Sequence, residues 1–210
     1  MSEQTAEHAD APPAPAPVPP APAAPVPFQQ LQSTRASPYS RDEKIRRAVW
    51  LIVRATLFRP SPKRLFRWRN MLLRRFGATV GRNTLIEPTA RVIHPWLLHV
   101  GDWTHIAGGV NLYNLGKISI GDHSVVSQDA FVCAGTHDYA QPHLPLLRPS
   151  ITIGSGVWVA AEAFIGPGVT VGDNSVVGAR AVVARDVPPG VVVAGNPARV
   201  IRPRPMKPAR

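Results

Sequence analysis

Residues 151–190 read ITIGSGVWVAAEAFIGPGVTVGDNSVVGARAVVARDVPPG, and an aliphatic residue returns there at every sixth position: Ile153, Val159, Ile165, Val171, Val177 and Val183. A helix repeats every 3.6 residues and a half-buried strand every two, so neither accounts for a period of six. Upstream, the same step runs through Val80, Ile86 and Val92, then Val100, Ile106 and Leu112, then Ile120, Val126 and Val132. Four positions after each aliphatic the residue is usually small, as at Thr84, Ala90, Thr104, Ser124, Ala130, Ala163, Ser175 and Ala181. Gly often follows the aliphatic directly, as at Gly81, Gly101, Gly121, Gly154 and Gly172, and is expected to supply positive φ at the bends. Internal repeats of this kind outrank local propensity. Each hexad reads as a short strand plus a turn. Three hexads complete a triangular coil whose aliphatics point inward and stack on those of the next coil. The expectation is an all-β parallel solenoid of about five coils, roughly 24 Å tall at about 4.8 Å per coil. A β-sandwich would instead alternate with period two and turn at irregular intervals.

A short offset of two residues separates the first three groups, and the period has one long break. Between Val132 and Ile153 the chain reads CAGTHDYAQPHLPLLRPSIT where a single hexad would continue the pattern. A loop this long in a regular solenoid is usually functional, and it opens with His137.

The N-terminal third is built differently. Pro is 24 of 210 residues and clusters in APPAPAPVPPAPAAPVP, residues 11–27, a low-complexity stretch that cannot form a core. Residues 1–40 are expected to be a disordered Pro/Ala-rich tail. Residues 41–77 are expected to be a basic amphipathic helical segment. A first helix spans 42–58, with Asp42 and Glu43 in its first turn and Ile45, Val49, Ile52, Val53 and Thr56 on one face, a stripe that Trp50 and Leu51 widen considerably. A second starts at Ser61-Pro62 and stops at Gly77. The solenoid is placed at 78–202 and a C-terminal tail at 203–210.

The formal net charge is +11, and residues 35–76 alone hold 13 Lys/Arg against Asp42 and Glu43. The rest of the chain is neutral. The basicity is a localised arm and does not call for nucleic acid as a partner. The arm can cap the open end of the solenoid, where strand edges and core would otherwise be exposed. It can also meet an anionic membrane, with Trp50, Phe66 and Trp68 at the boundary. A single Cys, Cys133, permits no intramolecular disulfide, and MSEQTAEHAD does not resemble a secretion signal. A cytoplasmic protein is expected, possible peripheral contact with the inner face of the membrane included.

The hexads, together with VVVAGNPARVIR (191–202) and AGTHD (134–138), resemble the hexapeptide-repeat O-acetyltransferases. The resemblance is greatest to the sugar acetyltransferases of the maltose, galactoside and nodulation-factor group. LFRPSP followed by WRNMLLRRFGATVG brings it nearest to the colanic-acid-biosynthesis type. It implies a left-handed parallel β-helix, a homotrimer with active sites between neighbouring prisms, acetyl-coenzyme A as co-substrate, and no metal. The acceptor it implies is a sugar or lipid-linked sugar, in exopolysaccharide or other cell-surface glycan biosynthesis.

Carried over residue by residue, the resemblance makes His137 the general base on the acceptor hydroxyl. The chemistry suits that role: an alcohol attacks a thioester only if its proton leaves during attack, and a neutral imidazole takes it near neutral pH. The resemblance places Asn111 and Asn114 at the acceptor. It places Ala161 and Ala179, 18 positions apart in one column, with their amides against the pantetheine arm, and Trp158 as the aromatic lining that slot. Arg185, Arg199 and Arg202 fall near the adenosine phosphates, with Arg185 standing where the family has Lys. Cys133, next to a core aliphatic, reads as a small buried residue. Two alternatives remain: a non-catalytic binding module, and a γ-carbonic-anhydrase-like zinc site drawn from His94, His99, His105 and His123.

Overall fold

The computed structural model describes residues 39–141 and 144–206. Short parallel strands stack into three faces. The first face carries Thr79–Val80, Leu98–Val100, Ile118–Ile120, Ile151–Ile153 and Thr170–Val171. The second carries Leu85–Ile86, His105–Ile106, Val125–Val126, Trp158–Val159, Val176–Val177 and Val191–Gly195. The third carries Arg91–Val92, Asn111–Tyr113, Phe131–Cys133, Phe164–Ile165 and Val182–Val183. The hexad aliphatics stack in register, Val80 on Val100, Ile86 on Ile106 and Leu112 on Val132, and all are buried. Five coils are complete. A sixth is begun by Val187, bridged to Val171, and by Val193, paired with Val177. Both are buried six positions apart and extend the repeat past Val183.

The passages between first and second face, and between second and third, keep the six-residue step in all five complete coils. Every change of length falls at the third-to-first edge. That passage takes eight positions from Val92 to Val100 and from Leu112 to Ile120, 21 from Val132 to Ile153, six from Ile165 to Val171 and four from Val183 to Val187.

The edge between first and second faces is pinned by two side-chain ladders. Thr84, Thr104 and Ser124 donate their hydroxyls to the carbonyls of Gly101, Gly121 and Gly154 one coil on. The amides of Arg82, Asp102, Asp122 and Ser155 donate to Asp102, Asp122, Ser155 and Asp173. The glycines after the aliphatics serve close approach rather than positive φ. A Cβ on Gly101 would meet Asp122 at 2.2 Å and one on Gly154 would meet Asp173 at 2.1 Å. The left-handed conformation falls two positions later, on Asn83, Trp103, His123 and Asn174.

Ahead of the first coil lie helix α1, Arg41–Val53, a π-helical turn at Arg54–Phe58, and helix α2, Phe66–Arg75. Ser40 caps α1 through the Glu43 amide, and Gly77, at φ +92°, ends the segment. Ser61-Pro62 does not open α2. The Ser61 hydroxyl instead donates to Phe58 O and accepts from Arg69. Of the expected apolar stripe of α1, Ile45, Val49, Leu51 and Ile52 are exposed, Val53 packs partly buried against the core, and Trp50 is buried with Phe58, Leu72 and Leu73 on the open end of the core.

The reason is hydrogen bonding. Many coil amides donate towards the following coil, as Gly81 to Val100 O and Glu87 to Ile106 O, and first-coil carbonyls such as those of Val80, Thr84, Ile86 and Val92 face the open end without a strand beyond them. The helical cap supplies the donors. Arg74 donates to Val80 O and Gly81 O, Arg69 to Ile86 O, Asn70 to Thr84 O and the Trp50 indole to Val92 O at 2.8 Å. Each of the three faces is closed by a side chain.

At the other end, Val191–Gly195 is covered by the antiparallel strand Ala198–Pro203. The C-terminal tail therefore does not begin at 203: Arg204 is tied to Gly190 O by its amide and to Gly156 O by its side chain. The expectation for residues 1–40 falls, apart from Tyr39 and Ser40, outside the described residues, as does that for 207–210. Among the described residues no helix is long and apolar enough to cross a membrane.

Candidate active site

The 21-position passage folds back on itself as a two-stranded antiparallel ribbon, Thr136–His137 against Leu146–Leu147. His137 is exposed at its tip, with Nδ1 2.6 Å from the Leu144 carbonyl. A carbonyl only accepts, so Nδ1 holds the proton and Nε2 presents a lone pair outward. Asp138 is turned the other way, accepting from the Ala140 amide and the Gln141 side chain, and does not orient the imidazole. The ribbon stands at the third-to-first edge of the prism.

Ala161 and Ala179 sit at the opposite side of the third face, on the edge it shares with the second. Among the described residues neither of their amides finds a hydrogen-bond acceptor, although their neighbours Ala160, Glu162, Gly178 and Arg180 all do. Two free N–H groups one coil apart, about 4.8 Å by solenoid geometry, suit the amide-bearing arm of a pantetheine. Trp158, half-exposed on the second face, is fixed towards this edge by a 3.0 Å bond from its indole to the Ser127 hydroxyl. Glu162 and Arg180 pair with each other at 2.8 Å, and that pairing holds the Glu162 carboxyl below its ordinary range.

Arg185 and Arg199 line one concavity of about 340 Å³ with Asp186 and Val193, at the C-terminal continuation of the second and third faces. Arg202 is exposed on the final strand and is not among the residues lining that concavity.

The two asparagines separate. Asn111 lies outward on the third face, in register with Phe131, with a buried Oδ1 that has no partner. Asn114 is fully buried. Its Oδ1 accepts from the Ile93 and His94 amides and its Nδ2 donates to His94 O, so the side chain clamps two coils together and offers nothing to an acceptor. Sequence reasoning also missed the cap donors Trp50, Arg69, Asn70 and Arg74. The recurrent Gly-Asp pairs at 101–102, 121–122 and 172–173 were a readable signal for the aspartate ladder.

His94 is buried, stacked on Trp96 with ring centroids 4.9 Å apart. Its Nδ1 donates to Asn114 O and its Nε2 has no partner. Burial, and then the charge of Arg47, lower its pKa to about 4, so it is a neutral structural histidine. His105 faces Glu87 at 3.6 Å. Among the described residues no group of three or more His, Cys, Asp or Glu side chains could hold a metal ion. Burial pushes the Cys133 thiol up, and it donates to Gly135 O, the setting of an inert thiol.

Residues 150–185 match the bacterial transferase hexapeptide, six repeats. Over 156 residues, 74% of this chain and 86% of the relative, the sequence is 48% identical to the "Putative colanic acid biosynthesis acetyltransferase WcaF" of Escherichia coli (strain K12). The chain belongs to the hexapeptide-repeat acetyltransferases. Among solved structures of this family, a maltose O-acetyltransferase from Clostridium difficile 630 superposes with a TM-score of 0.73 at 27% identity, covering 80% of this chain and 90% of that one. A galactoside acetyltransferase in complex with coenzyme A superposes with a TM-score of 0.73 at 27% identity, covering 84% and 90%. The scaffold carries the His137 ribbon on one edge of the prism and the pair of free amides at Ala161 and Ala179 on another.

Proposed function

We propose that the protein transfers an acetyl group from acetyl-coenzyme A to a hydroxyl of a sugar, in the assembly of an exopolysaccharide or another cell-surface glycan. The observation that carries this reading is the tether from His137 Nδ1 to Leu144 O, which leaves Nε2 as an exposed base on the solenoid's single long insertion. His137 Nε2 takes the hydroxyl proton as the new C–O bond forms. The same proton is returned to the sulfur as the C–S bond breaks, so imidazole is regenerated. The free amides of Ala161 and Ala179 and the Trp158 ring hold the pantetheine arm, and Arg185 and Arg199 meet the phosphates at its far end.

His137 and the Ala161–Ala179 edge stand on different edges of one prism, which supports a homotrimer in which the base of one copy serves the donor edge of its neighbour. The exposed row Ile45, Val49 and Ile52, set among cations on α1, supports work at the inner face of the membrane. His137→Ala should lower acceptor-dependent thiol release from acetyl-coenzyme A by roughly 10²–10⁴-fold, with coenzyme affinity nearly intact. The assay runs over monosaccharides, oligosaccharides and lipid-linked sugars. A near-wild-type rate in the variant would remove His137 from the reaction.

A further inference from the structure

The cations of the N-terminal segment divide by what they touch. Arg69 and Arg74 are bound to carbonyls of the first coil, and Lys63 pairs with Glu87. Arg54 and Arg59, from the turn that ends α1, have no such partner, and neither does Arg91 on the first coil. Among the described residues no hydrogen bond or ion pair engages any of these three guanidinium groups. All three line one concavity of about 410 Å³ at the edge between second and third faces. Its one carboxylate, Asp129, lies against Gly109 and pairs with none of them. Burial, and then the charges of Arg91 and Arg59, hold Arg54 below its ordinary value. A second concavity, about 380 Å³, shares Arg54 and adds Lys44, Arg47 and the exposed Leu51. The two concavities meet at Arg54, and the groove they line holds the cations Lys44, Arg47, Arg54, Arg59 and Arg91 with the aliphatic Leu51 at one end.

Three guanidinium groups around a single carboxylate that pairs with none of them repel one another, and a multiply charged anion relieves that repulsion. Guanidinium forks match phosphate oxygens two at a time. The position of the groove adds a second argument. Arg91 heads the outward column of the third face and is followed in register by Asn111, Phe131 and Phe164. A phosphate on Arg91 would set whatever it carries against Asn111, one coil or about 4.8 Å away, where Oδ1 is buried without a partner.

We propose that this groove binds the diphosphate of the acceptor, a sugar carried as a diphosphate ester, with the hydrocarbon of a lipid carrier running past Leu51. This inference rests on the acetyltransferase reading for its link to the reaction, but its test reads binding alone. Lipid-linked and nucleotide-linked sugars share the diphosphate, and the arms of the test separate them.

Titration calorimetry of the full chain with farnesyl diphosphate, farnesol, inorganic pyrophosphate and UDP-glucose should show farnesyl diphosphate bound at least tenfold more tightly than farnesol. Arg54→Gln/Arg59→Gln/Arg91→Gln should weaken farnesyl diphosphate and pyrophosphate at least tenfold while leaving acetyl-coenzyme A affinity and melting temperature unchanged. The corresponding triple Lys variant should recover part of the loss. Leu51→Ser should weaken farnesyl diphosphate but not pyrophosphate. UDP-glucose binding more tightly than farnesyl diphosphate, and lost in the triple Gln variant, would keep the diphosphate site and assign it to a nucleotide-linked sugar. Equal affinity of wild type and triple Gln variant for every diphosphate would overturn the proposal, whatever the outcome for His137.

Discussion

The two ends of the prism solve the same problem by different means. At its C-terminal end the second face is closed by backbone, as the chain reverses and lays Ala198–Pro203 antiparallel on Val191–Gly195. At the N-terminal end the exposed groups are carbonyls, and each face is closed by a side-chain donor from the helical cap, Arg74, Arg69 with Asn70, and Trp50. Carbonyls can be satisfied only by donors, and Arg is the side chain richest in them. Part of the strong positive charge before the solenoid is therefore a hydrogen-bonding requirement of the fold, and only the remainder is free to meet a ligand.

The sharpest way to break this contrast is at Arg69. It is buried and donates to Ile86 O, Pro62 O, Lys63 O and the Ser61 hydroxyl. Arg69→Met should cost roughly 3–4 kcal/mol in urea unfolding. Amide exchange should accelerate around Gly81 and Glu87 while Gly178 stays protected. Equal acceleration at both ends would mean that the cap is no local device.

Acid should also open the N-terminal end first. The His94 pKa is lowered to about 4 in the fold against about 6.5 in the unfolded chain. Its neutral form is the one the fold accommodates, so its contribution is present above pH 6.5. That contribution falls as the pH drops from 6.5 to 4, by a total on the order of 3 kcal/mol. Stability measured across that window should lose this part of its slope in His94→Phe, and an unchanged slope would assign the acid sensitivity elsewhere.

The smallest effect belongs to Trp50→Phe, which keeps a ring against Phe58 and Phe76 but removes the donor to Val92 O. A loss of roughly 1–2 kcal/mol is expected for the carbonyl left unpaired. A loss near zero would show that packing alone closes the third face.

The repeat was legible because its inward positions obey one rule throughout: Val80 to Val183 are buried aliphatics in stacked register. What escaped were the groups whose role depends on which end of a hydrogen-bond ladder is exposed. Nothing in the spacing of Ile45, Val49 and Ile52 says that Trp50 will turn inward, since that choice is made by a carbonyl 42 positions away. Asn114 escaped similarly. An Asn at a corner reads equally as ligand contact or clamp, and only the burial beside His94 distinguishes them. The long insertion could be located as a break in period, whereas the Leu144 carbonyl that sets the His137 tautomer follows from the ribbon's fold.

All length variation in this solenoid is gathered on one vertical edge, with passages of four to 21 positions, while the other two edges keep a constant step through the complete coils. Lengthening a loop whose ends are already held by stacked strands costs only logarithmically in closure entropy. The prism therefore behaves as a spine with a single site of growth. Segments grafted there can reshape the surroundings of His137 without displacing the edge that carries Ala161 and Ala179, and under the function proposed above the acceptor half of the reaction could diversify while the donor half stays standardised.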